Sequence, residues 1–167
     1  MYKRQLQNEV RALQGIGKVG VISRASDNFK NVIGGVATDD NIFAGGFVQL
    51  ASDTNDNNTT QIKGATGQAI TNKIIGVALF EYQPICGVNS SLKFLKGDNV
   101  NVITTGNVFI EFKQTCKIGQ YIVIKTDDGT LAVSNTGTEA DYTNTGWKVL
   151  KTASTAGDNI IEITKAL

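Results

Sequence analysis

The chain predicts an all-β fold: a compact β-barrel or jelly-roll-like sandwich with an internal pseudo-repeat and a short N-terminal helix or arm. Three observations carry that expectation. Three short sequences recur in the same order in both halves of the chain. Gly46-Phe47-Val48-Gln49-Leu50, Gly76-Val77-Ala78-Leu79 and Gly97-Asp98-Asn99-Val100-Asn101-Val102-Ile103 return as Gly119-Gln120-Tyr121-Ile122-Val123-Ile124, Gly146-Trp147-Lys148-Val149-Leu150 and Gly157-Asp158-Asn159-Ile160-Ile161-Glu162-Ile163. Each copy is a glycine followed by a strand-like run, and 18 glycines with a single proline among 167 residues suit many tight turns. From Lys18 onward the signals are strands and turns, with no linker between the halves, so the expectation is one barrel domain over 18–167 with pseudo-repeats at about 43–103 and 116–163.

The elements follow in order. Residues 1–17 form the arm, where Tyr2, Leu6, Val10 and Leu13 lie on one helical face and Gly15 and Gly17 end the pattern. A one-sided helix of this length is marginal alone in water, so it has to dock on its own barrel, a sister subunit or another protein. Residues 19–23 and 32–36 read as extended pieces, separated by the turn Ser26-Asp27-Asn28, and Asp39-Asp40-Asn41 turns the chain again. Residues 47–51 form the next strand, and the polar run 52–60, with no hydrophobic anchor, reads as an exposed loop. A near-continuous apolar run at 74–80 predicts a core strand. Strands at 92–95, 99–104 and 108–112 follow, with period-two alternation at Val100, Val102, Val108, Ile110 and Phe112. Asp128-Gly129 between apolar runs predicts a hairpin joining 121–124 to 131–133. Residues 134–145 read as a polar loop, and 147–150 and 160–163 as the last strands.

Composition removes several functions. Sixteen basic against fifteen acidic residues give a net charge of +1, which selects neither nucleic acid nor an anionic membrane. The longest apolar stretch, 74–80, is far short of the roughly 20 residues of a membrane helix. The opening MYKRQLQNEVRALQ has no apolar signal core, so synthesis and folding in a reducing cytoplasm are expected. Cys86 and Cys116 stand 30 positions apart without CxxC spacing, and read as two half-buried thiols.

A search for chemistry finds none. Without histidine, the usual triads, the commonest general base and the commonest zinc ligand vanish together. Asp53-Thr54-Asn55-Asp56-Asn57-Asn58 resembles half of a calcium loop, but Asn58 stands where glycine is required and Gly64 where the bidentate glutamate belongs. Asp39-Asp40 and Asp127-Asp128 are adjacent acids whose side chains diverge in an extended chain, so they read as turn formers. Gly15-Ile16-Gly17-Lys18-Val19-Gly20 lacks the ending of a phosphate loop and leads into a strand. Phe109, Tyr121 and Trp147 could form a stacking platform, but the last two open apolar runs and are expected in the core. No catalytic residue, cofactor or metal is expected.

Val19-Gly20-Val21-Ile22-Ser23-Arg24-Ala25, Phe43-Ala44-Gly45-Gly46-Phe47-Val48-Gln49-Leu50 and Ile74-Ile75-Gly76-Val77-Ala78 together resemble the structural cement or head-decoration proteins of tailed bacteriophages. Lys96-Gly97-Asp98-Asn99-Val100-Asn101-Val102, Gly106-Asn107-Val108-Phe109-Ile110, Ile118-Gly119-Gln120-Tyr121-Ile122-Val123 and Asp128-Gly129-Thr130 continue in the family's order. The resemblance spans residues 18–163. It implies a barrel or jelly-roll body that assembles as a small homo-oligomer, a trimer ahead of a dimer, on the outer surface of the virion head and clamps major capsid proteins. The long segment 1–14, the asparagine-rich loop and the scarcity of alanine depart from the family's pattern.

For docking to capsid or sister subunit, the expected residues are Tyr2, Leu6, Val10 and Leu13 as apolar anchors, flanked by Lys3, Arg4 and Arg11. The rival readings are a carbohydrate- or receptor-binding surface module, which needs an exposed aromatic platform, and another virion component such as a tail-tube subunit, which needs a ring. An enzyme comes last, and neither nucleic acid nor membrane is expected as a direct partner.

Overall fold

A computed structural model describes residues 18–23, 30–52, 60–80, 93–153, 155–157 and 159–166. The arm at 1–17, the turn at 26–28, the calcium-like stretch 53–58 and Cys86 lie outside these residues. The elements are β1 (Asn31–Ala37), β2 (Ile42–Phe43), β3 (Phe47–Leu50), β4 (Gln61–Gly64), β5 (Ile74–Ala78), β6 (Lys93–Phe94), β7 (Asn99–Phe112), β8 (Tyr121–Lys125), β9 (Leu131–Ser134), β10 (Tyr142–Val149) and β11 (Asn159–Lys165).

Strands β1, β4, β3, β5 and the first half of β7 are bonded in that order, and β7 pairs back with β1 to close a five-stranded barrel. Of the two architectures expected, the structure shows the barrel. Closure satisfies the backbone groups that an open sheet would leave at its edges. The contact of β1 with β4 is parallel, and the others in the barrel are antiparallel. The short ribbon β2–β6 packs on the barrel core through Ile42 and Phe94.

The second half of β7 leaves the barrel. It pairs with β11 from Gly106↔Lys165 to Phe112↔Asn159, and β10, β8 and β9 follow. The sheet thus reads β4-β3-β5-β7 and then β11-β10-β8-β9, so strands carrying the two glycine series sit at mirrored places about the β7–β11 pair.

A bulge makes this double duty possible. Asn31 faces Thr105 and Val32 faces Ile103, which leaves Thr104 as an extra residue on β7. One inserted residue exchanges the two faces of a strand. Before the bulge, Val100 and Val102 point into the barrel while Ile103 points out of it; beyond it, Val108, Ile110 and Phe112 join the core that holds Ile103. Gly106 follows at φ 125°, a conformation that side chains with a Cβ rarely adopt.

Two cores result. Inside the barrel lie Ala37, Ile42, Val48, Ile62, Ala78, Phe94, Val100 and Val102. Between the barrel's outer face and the second sheet lie Phe47, Val77 and Ile103 from one side, and Phe112, Ile122, Ile124, Trp147, Ile161 and Ile163 from the other. Phe47 and Trp147 meet edge to face, with centroids 6.5 Å apart and planes at 76°. Gly76 makes the close approach possible at the β5–β7 contact, because a Cβ there would run into the carbonyl of Ile103.

Several expectations change in detail. The predicted strands 99–104 and 108–112 are one strand, because Thr105 and Asn107 keep pairing across the bend. Residues 134–145 are not loop throughout: Tyr142, Thr143 and Asn144 pair with Lys125, Ile124 and Val123, and this ladder overrides their polarity. Strand β4 is an addition, with Ile62 fully buried between polar neighbours. Residues 19–23 make a single bridge, Ile22↔Val108, reinforced by Gly20 and Ser23 N–H groups donating to Phe109 and Asn107 carbonyls.

Candidate interaction surface

Three of the acids expected to shape turns, Asp39, Asp40 and Asp128, are engaged there. Asp40 accepts from the Lys96 N–H at 2.6 Å, tying the β1–β2 turn to the β6–β7 turn, and Asp39 accepts from the Asn41 N–H at 3.2 Å. Asp128 accepts from the Thr130 N–H at 2.9 Å and faces Lys125 at 3.4 Å. The Thr130 bonds hold the Asp128 carboxyl below its usual range, with a smaller contribution from the Lys125 charge. Among the described residues no three histidine, cysteine, aspartate or glutamate side chains come together to hold a metal ion.

Trp147 is fully buried, as its place in an apolar run implies, so it offers no platform for sugars. Phe109 is half-buried, and Tyr121 carries Lys148 Nζ over its ring at 4.6 Å. Cys116 is buried beside Ala153, whose N–H donates to Sγ at 3.3 Å, and burial pushes its thiol above the ordinary value of 9.0. A neutral, enclosed thiol makes a poor nucleophile.

Sequence reading missed Gln49. Its side chain is fully buried, and Nε2 donates to the carbonyls of Gly64 and Ala69 at 2.9 and 3.0 Å. Its Oε1 accepts from Thr71 and Asn72 N–H groups at 2.9 and 3.1 Å. One amide thus pins the 64–72 connection to β3. A lone glutamine in an apolar run, Phe47-Val48-Gln49-Leu50, was the available signal.

What remains on the outside is apolar relief. Phe43, Leu95, Ile118, Leu150 and Val32 are exposed, Ile118 most of all at 66%. Beside Phe43 opens a groove of about 730 Å³ whose walls include Val19, Phe112, Leu131 and Ile160. Its rim carries Lys18, Glu111 and Lys113, and the Lys18 ammonium rests 3.6 Å from the Phe80 ring centroid. Among the described residues the surface thus offers apolar and charged contacts. The anchors Tyr2, Leu6, Val10 and Leu13, with Lys3, Arg4 and Arg11, belong to the arm and lie outside the described residues.

The family model of the structural cement protein (E217 gp24/Pam3 gp6) matches residues 6–165. The chain belongs to the phage structural cement family. This cement protein is a capsid-stabilising component of the virion, and its partner is the capsid lattice. A chain of the capsid of Myoviridae phage XM1 shares its fold, with a TM-score of 0.60, 15% identity and 89% of each chain covered. The N base of head fiber gp8.5 of bacteriophage phi29 aligns over 82% of this chain and 94% of its own, at 11% identity and a TM-score of 0.44. No curated protein sequence matches the chain.

Proposed function

We propose that this cement protein binds the outer surface of the major capsid protein lattice as a homo-oligomer, a trimer ahead of a dimer, and stabilises the head by binding alone. The family match over residues 6–165 carries the reading. Carboxylates engaged in turns, an enclosed thiol and an exposed apolar relief support a contact protein over an enzyme. Synthesis in the host cytoplasm precedes assembly. Residues 18–167 act as one body with two related halves, 43–103 and 116–163.

The docking element is the arm. Tyr2, Leu6, Val10 and Leu13 supply its apolar face, and Lys3, Arg4 and Arg11 its charge. Interfaces of ordinary size bury about 1,600 Å², and repetition around a shell multiplies a modest contact into particle stability. Removing residues 1–14 abolishes recruitment to heads while the circular dichroism of the barrel is retained. Undiminished occupancy of heads by the shortened chain would count against the arm.

A further inference from the structure

We infer that β9 is the contact at which two copies of this chain join, edge to edge across a two-fold axis through Ala132. That contact is independent of the cement reading and follows from one strand and its ladder. Each strand of the barrel has a neighbour on both sides, and the nine-stranded sheet ends at β9. Lys125 donates its N–H to the Thr130 carbonyl, and the ladder alternates from there, so Thr130, Ala132 and Ser134 turn their backbone groups to β8. The far side of β8 agrees: Thr126 donates to the Asp141 carbonyl, so Ile124 and Ile122 face β10 and leave Val123 and Tyr121 for β9. The N–H and C=O groups of Leu131 and Val133 therefore point away from the sheet. Among the described residues nothing bonds to them.

The open stretch has the form that a second copy needs. Exposed edges are ordinarily blunted by a charge, a proline or a bulge, and Leu131-Ala132-Val133 has none of these, with its register on β8 unbroken. Antiparallel pairing about Ala132 sets Leu131 against Val133 of the second copy, and Val133 against its Leu131. Both are hydrogen-bonded pairs, so every open group of the two copies finds a partner. Ala132 meets its counterpart on the axis as a close pair, with Cα atoms about 4.5 Å apart, a place suited to a small side chain.

Length selects the same occupant. Gly67 N–H takes the Gly129 carbonyl at 3.0 Å, which closes the edge just before Leu131. At the other end Ser134 Oγ accepts from Thr136 and Gly137 N–H groups at 3.2 and 2.8 Å, and Gly137 lies against the Tyr121 ring, so the chain turns back over β8. A longer strand laid on this edge would run into the connection at Gly67, whereas β9 of a second copy turns at its own Ser134, opposite Thr130, and stops short of it. Leu131 and Val133 pack on the core behind the barrel yet stay half-buried, and pairing sets them side by side with their counterparts on one face. Leu131 also stands in the wall of the groove beside Phe43, so a copy held at this edge covers apolar surface beyond the ladder. The contact joins chains two by two, whether single chains or trimers held on another surface.

Ala132→Cys in the full-length chain tests this, because a close antiparallel pair falls within the separation of about 4.4 to 6.8 Å between Cα atoms that a disulfide spans. Under mild oxidation the variant should run as a covalent pair on a non-reducing gel, with mass spectrometry placing the bond between the two introduced thiols. Thr130→Cys should stay single, since two copies of that residue stand about 13 Å apart along the ladder. A chain that does not link at 132, or that links equally at 130, would overturn the proposal. Val133→Pro removes an outward N–H at an edge, where proline is tolerated, so circular dichroism should hold while the sedimenting mass is halved. A pair that persists with the fold intact would also overturn it. Loss of head binding by Val133→Pro, with no link in Ala132→Cys, would give the edge to a capsid strand and overturn it as well. The linking and sedimentation readouts use free protein, so their failure leaves the capsid reading intact; linked pairs that never coat heads would strike that reading and leave the contact standing.

Discussion

The barrel interior and the layer between barrel and second sheet share β7, yet they are filled with different side chains. Five strands enclose little space, and Ala37, Ala78, Val48, Val100 and Val102 share it with Ile42, Ile62 and a single ring, Phe94. The layer has room for rings, and it holds Phe47, Phe112 and Trp147 among isoleucines from four strands. A barrel that is narrow gains closure more than buried area, whereas the layer carries most of the apolar burial that stabilises the chain. The shell-binding body thus leans on a thick core behind the barrel.

The largest effect belongs to the layer. Trp147→Ala should lower unfolding free energy by about 3–5 kcal/mol, read by urea denaturation. Trp147→Phe should cost clearly less, because the indole Nε1 is buried without a hydrogen-bond partner and goes with the substitution. Gln49→Ala comes next, at about 2–3 kcal/mol, since it strips partners from the backbone of Gly64 and of Ala69, Thr71 and Asn72 in the connection between β4 and β5. Ile62→Val, inside the barrel, should cost about 1 kcal/mol by the same denaturation. A loss there equal to that of Trp147→Ala would erase the difference between the two cores.

The smallest effect is a pH dependence at Cys116. Burial raises its thiol in the folded chain, so the folded state favours the neutral form. Its contribution is whole below the ordinary value of 9.0 and falls as pH climbs from there toward the raised value. The stability difference between the chain and Cys116→Ala should therefore shift toward the alanine variant as the pH rises past 9.0. A constant difference would place the thiol in a wetter environment than its burial indicates.

Fold class was readable because glycine punctuation and apolar runs are local signals. Runs at 47–50, 74–78 and 121–125 became strands since their own side chains reach a core. Strand β4 escaped because Gln61-Ile62-Lys63-Gly64 offers one apolar residue, and its partners β3 and β1 decide its state. The polar start of β10 escaped for the same reason. The bulge at Thr104 has no composition of its own, although it determines which face of β7 meets which core. For the site, missing histidine and lone acids led the sequence toward a contact protein, while the groove joins positions 19, 43, 112, 131 and 160, which only folding brings together.

The central claim is that this chain stiffens a phage head by adhesion. Heads assembled with and without it, compared by particle mass and by the temperature at which they release DNA, test that claim directly. Decorated heads should be heavier by a fixed number of copies per capsid and should release DNA at a higher temperature. Equal mass, or equal release temperature with the chain bound, would contradict it.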